Sequence, residues 1–221
     1  MQILFRFYIR MKKLFVFWLQ RCARCYLART KPYIIGITWS VWKTTCRLII
    51  TQMLLQQLPV LKIRTSSKNF NSEVGLCLSI LWIEKYEPTF ISTLSTIFWA
   101  FIRMIWLRKA DILVLEYWID HPGDMQILTK VAKPDIGILT GVDKVHATYF
   151  PDASAIFDEK VQLLHAARDV IFYGNPLSEL MEKRQFTADV LSFELHEDEN
   201  ETDIWFNGYH LRRVDEEIWS E

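Results

Sequence analysis

A short loop between an apolar run and a helical pattern constrains this chain more than any other feature. Residues 33–38 are Tyr-Ile-Ile-Gly-Ile-Thr, which is typical of a buried strand, and the pattern from Thr44 onward is helical. Between them Lys43 precedes two threonines. This is the signature of a phosphate-binding loop, in which the lysine contacts the β- and γ-phosphates and the first hydroxyl binds magnesium. The segment therefore predicts a nucleotide site.

Two tryptophans stand in this loop where glycine is required. Trp39 and Trp42 should block the site, because the loop needs positive φ angles and a close approach of backbone to phosphate. The chain has 9 Trp and 7 Gly in 221 residues, which is about 3% Gly against a usual share of roughly 7%. Our hypothesis is that the gene uses a code in which UGA specifies glycine, which also predicts glycine at Trp82, after a helix, and at Trp118, in a turn. The alternative is a degenerate, inactive loop.

Apolar runs that are typical of strands alternate along the chain with helical patterns. The predicted strands cover 33–38, 59–65, 111–117, 135–140, 169–174 and 190–195. The predicted helices cover 43–57, 73–81, 93–109, 153–167 and 176–184. This alternation predicts an α/β fold with a mostly parallel, P-loop-type sheet, helices on both faces and ligands beyond the carboxyl ends of the strands.

The charges divide the chain into three parts. Residues 1–72 carry 13 Lys and Arg and no acid, and residues 1–30 predict a basic amphipathic helix on a membrane surface, with an ordinary docking helix as the alternative. Residues 31–190 are expected to form the nucleotide-binding domain. Residues 191–221 are acidic, which indicates a solvated end or the start of a further domain.

Residues 89–107 are apolar but contain Arg103, and we expect a buried crossover helix there rather than a membrane span.

Three further segments bring polar side chains to predicted strand or helix ends. Glu116 ends a buried strand at the edge where nucleotide enzymes hold magnesium. Asn69 and Asn71 lie in a loop that opens a helix, for which simple capping is the alternative. His146 follows the strand at 135–140, although a lone histidine is more often structural than a ligand.

In this order and at these spacings, the segments resemble the central ATPase domain of the Mur ligases, which build the peptide of bacterial peptidoglycan. The family's loop is Thr-Gly-Ser/Thr-x-Gly-Lys-Thr-Thr, and residues 38–45 match it except at the two tryptophans. The Asn-x-Asn loop precedes Gly75-Leu-Cys77-Leu, which is similar to the family's Gly-Leu/Val-Pro-Leu with cysteine in place of proline. Residues 115–124 and 133–150 resemble the Leu-Glu-x-Gly and Lys-Pro…Thr…His segments of the D-alanyl-D-alanine-adding branch.

The resemblance implies a role for each candidate residue. It implies that the nucleotide is bound by Thr38, Trp39, Ser40, Val41, Trp42, Lys43, Thr44 and Thr45. It implies magnesium ligands at Thr44, Glu116, His146 and Lys160. Lys160 would bind as a carbamate, because a carbamate is an anionic oxygen ligand whereas an ammonium group repels the cation; without the resemblance it would be interpreted as a surface lysine. Lys43, His146 and Lys160 are the expected catalytic residues, and Asn69 and Asn71 are expected near the substrate.

The resemblance covers about residues 31–190 and implies a cytoplasmic reaction with ATP and Mg²⁺. ATP phosphorylates a UDP-N-acetylmuramoyl peptide, and the amine of D-alanyl-D-alanine attacks the acyl phosphate. A complete ligase also has a domain for the UDP-sugar and a domain for the amine, so the sequence predicts a fragment or a split enzyme. The alternatives are a folylpolyglutamate or cyanophycin synthetase, against which the Asn-x-Asn loop argues, and a non-catalytic nucleotide-fold protein at the membrane.

Overall fold

The computed structural model describes residues 2–38, 45–65, 72–141, 149–174, 177–198, 201–206 and 209–212. The helices in these ranges are α1 Gln2–Thr30, α2 Thr45–Gln57, α3 Glu73–Ile80, α4 Phe90–Trp106, α5 Asp124–Val131, α6 Ala153–Ala166 and α7 Ser178–Met181. The strands are β1 Tyr33–Thr38, β2 Ile63–Thr65, β3 Ile112–Glu116, β4 Ile136–Leu139, β5 Val170–Gly174, β6 Asp189–Asp198, β7 Glu201–Phe206 and β8 Tyr209–Arg212.

The strands form one sheet in the order β2-β3-β1-β4-β5-β6-β7-β8. The pairs from β2 through β6 are parallel, and β7 and β8 are added antiparallel. The predicted α/β fold with a mostly parallel sheet is confirmed. Because β1 lies between β3 and β4, its carboxyl end is at the point where the strand order reverses, which is where open α/β sheets bind ligands.

The central strands are buried on both faces, which explains their continuous apolar sequences. In β3, Leu113 and Leu115 pack with α1, α3 and α5, whereas Val114 faces a second cluster that includes side chains of α2. In β1, a Cβ placed on Gly36 would lie 2.9 Å from the ring of Tyr117. This strand position therefore accepts no side chain.

The N-terminal segment forms a helix that packs on the domain. α1 contacts α3 and α4. Among residues 10–30, its buried apolar side chains are Phe15, Leu19, Cys22, Ala23 and Tyr26. Over residues 15–30 the structure therefore agrees with the alternative prediction of a docking helix. The buried side of α1 packs on protein and not on lipid.

Residues 89–107 form a helix as predicted, but the prediction that it is buried is wrong. Only Thr96 and Ala100 of α4 are buried. The physical reason is that α4 packs on α1 instead of on the sheet, so only one narrow side of it meets protein. None of the helices in the described ranges is long and apolar enough to cross a bilayer.

The predicted boundary at residue 190 falls inside β6. This strand pairs in parallel with β5 and antiparallel with β7, so β6, β7 and β8 extend the sheet. The interpretation of this region as a solvated end or as the start of a further domain stays a prediction. Its many charges conceal short alternations of apolar and polar residues, which are the weaker signal of a strand.

Candidate nucleotide-binding site

Polar side chains meet at the carboxyl ends of β1, β3 and β4. Thr38 ends β1, Glu116 ends β3 and Thr140 directly follows β4. Ile37 is in register with Glu116, and Thr38 is in register with Leu139, so the three polar residues lie on neighbouring strands at one edge. All three are buried, with 1 to 5% of their surface exposed.

The hydroxyls of Thr38 and Thr140 have no hydrogen-bond partner within the described part of the chain. A buried hydroxyl without a partner costs about 1–3 kcal/mol, so a fold rarely keeps two of them side by side. Thr38 directly precedes the predicted phosphate-binding loop, which lies outside the described residues. The edge thus presents two buried hydroxyls to whatever polar group lies there.

Glu116 forms a buried ion pair with Arg47 of α2, in which Oε1 and Nη1 are 2.9 Å apart. Burial raises the pKa of Glu116 to about 7, and the guanidinium of Arg47 opposes the rise. The sequence did not predict Arg47, because nothing in the pattern of α2 marks this residue as facing the end of β3.

Lys160 lies in α6, which packs against β4 and β1. It is only 5% exposed, so the interpretation as a surface lysine is wrong. The preceding residue Glu159 is also buried, and its carboxylate accepts hydrogen bonds from the backbone N–H of Met125 at 2.9 Å and from Nε2 of Gln162 at 3.0 Å. Glu159 therefore holds the start of α5 in place. Burial of an ammonium group is unfavourable unless it is paired or modified.

The other candidate residues are placed only in part. Thr45 is the first residue of α2, so the predicted strand before residues 39–44 and the predicted helix after them are confirmed. The candidates outside the described residues are Trp39, Ser40, Val41, Trp42, Lys43, Thr44, Asn69, Asn71 and His146. The structure thus brings together Thr38, Glu116 and Thr140 at one edge, and their relation to the loop stays a prediction.

Trp82 occupies a helix cap that normally requires glycine. Its φ angle is 56°, in the left-handed region. Its N–H bonds to the carbonyl of Ser79 at 3.2 Å, and the N–H of Ile83 bonds to the carbonyl of Leu78 at 2.9 Å. These two bonds define a Schellman motif, and the residue at this position is usually glycine. The backbone at 82 is therefore the C-terminal cap that the sequence predicts.

The glycine that the sequence predicts at position 118 stays a prediction, and the backbone there does not support it. Trp118 is not among the described residues with a positive φ angle. Its indole N–H donates to Oδ1 of Asp120 at 2.8 Å. The structure therefore gives no conformational reason for glycine at this position.

Comparison with known proteins identifies the family to which the chain belongs. Residues 37–219 match the family described as the Mur ligase middle domain. The chain belongs to this family. The match confirms the resemblance that the motifs indicate, and it extends beyond residue 190 into the strands that lengthen the sheet.

Two similar relatives carry the same name. The chain is 24% identical over 160 residues to the UDP-N-acetylmuramoyl-tripeptide–D-alanyl-D-alanine ligase of Bacillus subtilis, covering 71% of this chain and 29% of the relative. It is 27% identical over 146 residues to the ligase of that name from Borreliella burgdorferi, covering 66% and 26%. The chain therefore spans between a quarter and a third of the length of these curated relatives.

Solved structures show the same fold. The MurF ligase of Thermotoga maritima in complex with ADP superposes with a TM-score of 0.67 at 22% identity, covering 89% of this chain and 44% of that one. FolC of Escherichia coli in complex with DHPP and ADP superposes with a TM-score of 0.52 at 14% identity, covering 86% and 51%. Both likenesses support the fold.

Proposed function

We propose that this chain is the ATP-binding part of a ligase that adds D-alanyl-D-alanine to a UDP-N-acetylmuramoyl peptide in the cytoplasm. The observation that carries the proposal is the buried carboxyl edge of the sheet, which holds Glu116, Thr140 and Thr38. Thr38 is also the first residue of a segment that matches the family's nucleotide motif except at the two tryptophans. The names of the two relatives and the ADP in the Thermotoga neighbour support the same activity.

The residues at this edge fit a magnesium nucleotide. Mg²⁺ prefers oxygen ligands and usually binds one or two carboxylates together with substrate phosphates. Glu116 supplies the carboxylate and Thr44 the hydroxyl. The hydroxyls of Thr38 and Thr140 gain the partners that the described residues do not provide. When bound, the ion would neutralise charge that develops on the phosphates.

In the proposed reaction a carboxylate oxygen of the muramoyl peptide attacks the γ-phosphorus of ATP, and ADP leaves. The amine of D-alanyl-D-alanine then attacks the acyl carbon, loses a proton and displaces phosphate, which leaves an amide. Lys43 holds the β- and γ-phosphates. His146 and carbamylated Lys160 are assigned to a second magnesium ion, and Asn69 and Asn71 to the substrate.

The proposal requires glycine at positions 39 and 42. A tryptophan side chain prevents loop amides from approaching a phosphate, and it strains a residue with a positive φ angle. The cap at Trp82 supports the same substitution at a third position, since its φ angle of 56° belongs to glycine far more often than to tryptophan. UGA codons at these positions support recoding, and UGG codons contradict it.

The test uses the complete enzyme with glycine at 39 and 42. Lys160→Ala should nearly abolish ligation and leave ATP binding through Lys43 intact, since the carbamate acts on the metal rather than on the nucleotide loop. Acetate should partly restore ligation by supplying an anionic oxygen. The control Lys183→Ala removes an exposed lysine and should change neither quantity.

Ligation that survives Lys160→Ala would remove Lys160 and His146 from the mechanism. Wild-type enzyme that joins glutamate to a folate, and not D-alanyl-D-alanine to the muramoyl peptide, would instead favour the folylpolyglutamate activity.

A further inference from the structure

α1 and α4 expose an apolar surface that none of the other described elements covers. We call it the α1–α4 surface. Its members on α4 are Ile91, Leu94, Phe98, Phe101 and Ile105, and its members on α1 are Met11, Leu14, Phe17 and Trp18. The α4 residues are spaced alternately by three and four, so they form one stripe along the helix. Between 40 and 80% of each side chain on this stripe is exposed.

The two helices hold this surface together as a unit. Thr96 and Ala100 lie on the buried side of α4, which packs on α1. The rings of Trp18 and Phe101 stack across the two helices with centroids 6.4 Å apart. Contiguous apolar surfaces of this kind mark sites where a protein or a membrane binds. The α4 stripe contains no tryptophan, so it is the same under either genetic code.

The charges on the two helices that form this surface have one sign, whereas the exposed acids Glu84 and Glu87 lie just before α4. α1 exposes Arg10, Lys12 and Lys13, and residues 1–72 contain no acid. The segment 88–110 contains three basic residues and no acid. An anionic partner is therefore favoured. A second copy of this chain would bring two positive surfaces together, which is unfavourable.

A basic cleft lies at the C-terminal end of α4. Its volume is about 570 Å³, and Trp106, the residue after the end of the stripe, lines it. It is lined by five basic residues and no acidic one, namely Lys62, Arg64, Arg103, Arg108 and Lys109. Arg64 is held in place by donating hydrogen bonds to the hydroxyl of Tyr26 and the carbonyl of Arg108. Such a cleft suits phosphate groups.

We propose that the α1–α4 surface docks this domain on an anionic membrane. The stripe on α4 lies at the boundary between headgroups and acyl chains, as the apolar face of an interfacial helix does. The basic cleft holds lipid phosphates, and the cations of α1 add electrostatic attraction. This docking is independent of the ligase activity, since the surface does not include the carboxyl edge of the sheet.

The experiment measures co-sedimentation of the 221-residue chain with two kinds of vesicle. One kind contains equal parts of phosphatidylglycerol and phosphatidylcholine, and the other contains phosphatidylcholine alone. The chain should sediment with the anionic vesicles only, and raised salt should weaken the binding. Leu94→Ser with Phe98→Ser should reduce the affinity about tenfold or more, because two inserted side chains are lost. Arg108→Glu with Lys109→Glu should have a similar effect.

Matched controls separate docking from loss of folding. Ile127→Ser with Leu180→Ser replaces two apolar residues of 40 and 50% exposure on other helices. Lys130→Glu with Lys183→Glu reverses two exposed charges elsewhere. Both control pairs should bind anionic vesicles as the wild type does.

Three results would overturn the proposal. The first is binding of equal affinity to both kinds of vesicle, or no binding to either kind. The second is unchanged binding after Leu94→Ser with Phe98→Ser. The third is a dimer in sedimentation equilibrium that the same pair of substitutions dissociates, which would assign the surface to a second copy of the chain.

Discussion

Buried polar groups at the two edges of the parallel sheet differ in whether the described residues supply their hydrogen-bond partners. At the amino edge, Asp135 accepts a hydrogen bond from the N–H of Ile34 at 2.7 Å and forms an ion pair with Arg168. Asp111 at the same edge accepts from the N–H of Lys62 at 2.9 Å. Each carboxylate there ties one strand to the next. The chain itself supplies the partners.

At the carboxyl edge the described residues leave two buried hydroxyls, those of Thr38 and Thr140, without a partner. Glu116 is paired with Arg47, but burial still raises its pKa to about 7. Folded proteins pair nearly all buried polar groups, so exceptions that cluster mark a site for something else. The difference indicates that the amino edge stabilises the fold, and it supports the proposal that the carboxyl edge binds a ligand.

Removal of Asp135 should have the largest effect on stability. Asp135→Ala leaves the buried N–H of Ile34 without an acceptor, and we expect a loss of about 3 kcal/mol in the free energy of unfolding. The control Asp158→Ala breaks a more exposed pair with Arg184 and should cost less than about 1 kcal/mol. Urea unfolding measures both. Equal losses would mean that the amino edge is not the structural edge.

Glu116 should make stability depend on pH. Its pKa is raised from 4.5 to about 7 in the folded protein, so the folded state holds the proton more tightly. The contribution to stability is complete below pH 4.5 and is lost as the pH rises through 7, by about 3 kcal/mol in all. Glu116→Gln should lack this fall when unfolding is measured across the same range. Parallel pH profiles of the two proteins would contradict the raised pKa.

Two threonines offer a smaller, matched comparison. Thr38→Val removes a hydroxyl without a described partner, so stability should stay constant or rise by up to about 1 kcal/mol, while ATP affinity falls. Thr30→Val removes a buried hydroxyl that donates to the carbonyl of Tyr26 at 2.8 Å, and it should cost about 1 kcal/mol without affecting ATP. A larger loss for Thr38→Val would show that its hydroxyl already serves the fold.

Trp82→Gly should stabilise the chain by up to about 1 kcal/mol, because glycine takes the left-handed cap without strain. Loss of the contact between Arg64 and the indole ring, 5.7 Å from its centroid, offsets part of the gain. Trp118→Gly is the control, and it should bring no gain, since Trp118 has no positive φ angle. Thermal unfolding distinguishes the two variants. A gain at 118 alone would remove the conformational argument for recoding.

The sequence predicts the sheet well where periodicity and burial coincide. β1, β3, β4 and β5 are continuous apolar runs, and each is found within a residue or two of its predicted bounds. Glu116 was predicted at the end of β3 because it is the first acidic residue after the apolar run of that strand. The Schellman cap at Trp82 was predicted because glycine has a distinct conformational role.

Other features depend on tertiary contacts that no local pattern shows. Arg47 is one basic residue of an ordinary helix, and only the packing of α2 on the sheet brings it to Glu116. The exposure of α4 depends on its packing against α1, which no local pattern in α4 shows. α5, which follows Gly123, was not predicted, and the sequence gives no signal for it as clear as the Ser-Glu start of α3.

The central claim is that the carboxyl edge binds a magnesium nucleotide once the loop has glycine. The direct measurement is calorimetric titration of ATP, with and without Mg²⁺, into the 221-residue chain carrying Trp39→Gly and Trp42→Gly and into the chain with both tryptophans. The glycine form should bind ATP in a Mg²⁺-dependent manner, and the tryptophan form should bind at least about a hundredfold more weakly, because its loop cannot approach the phosphates. Equal affinity of the two forms, or no binding by either, would contradict the account.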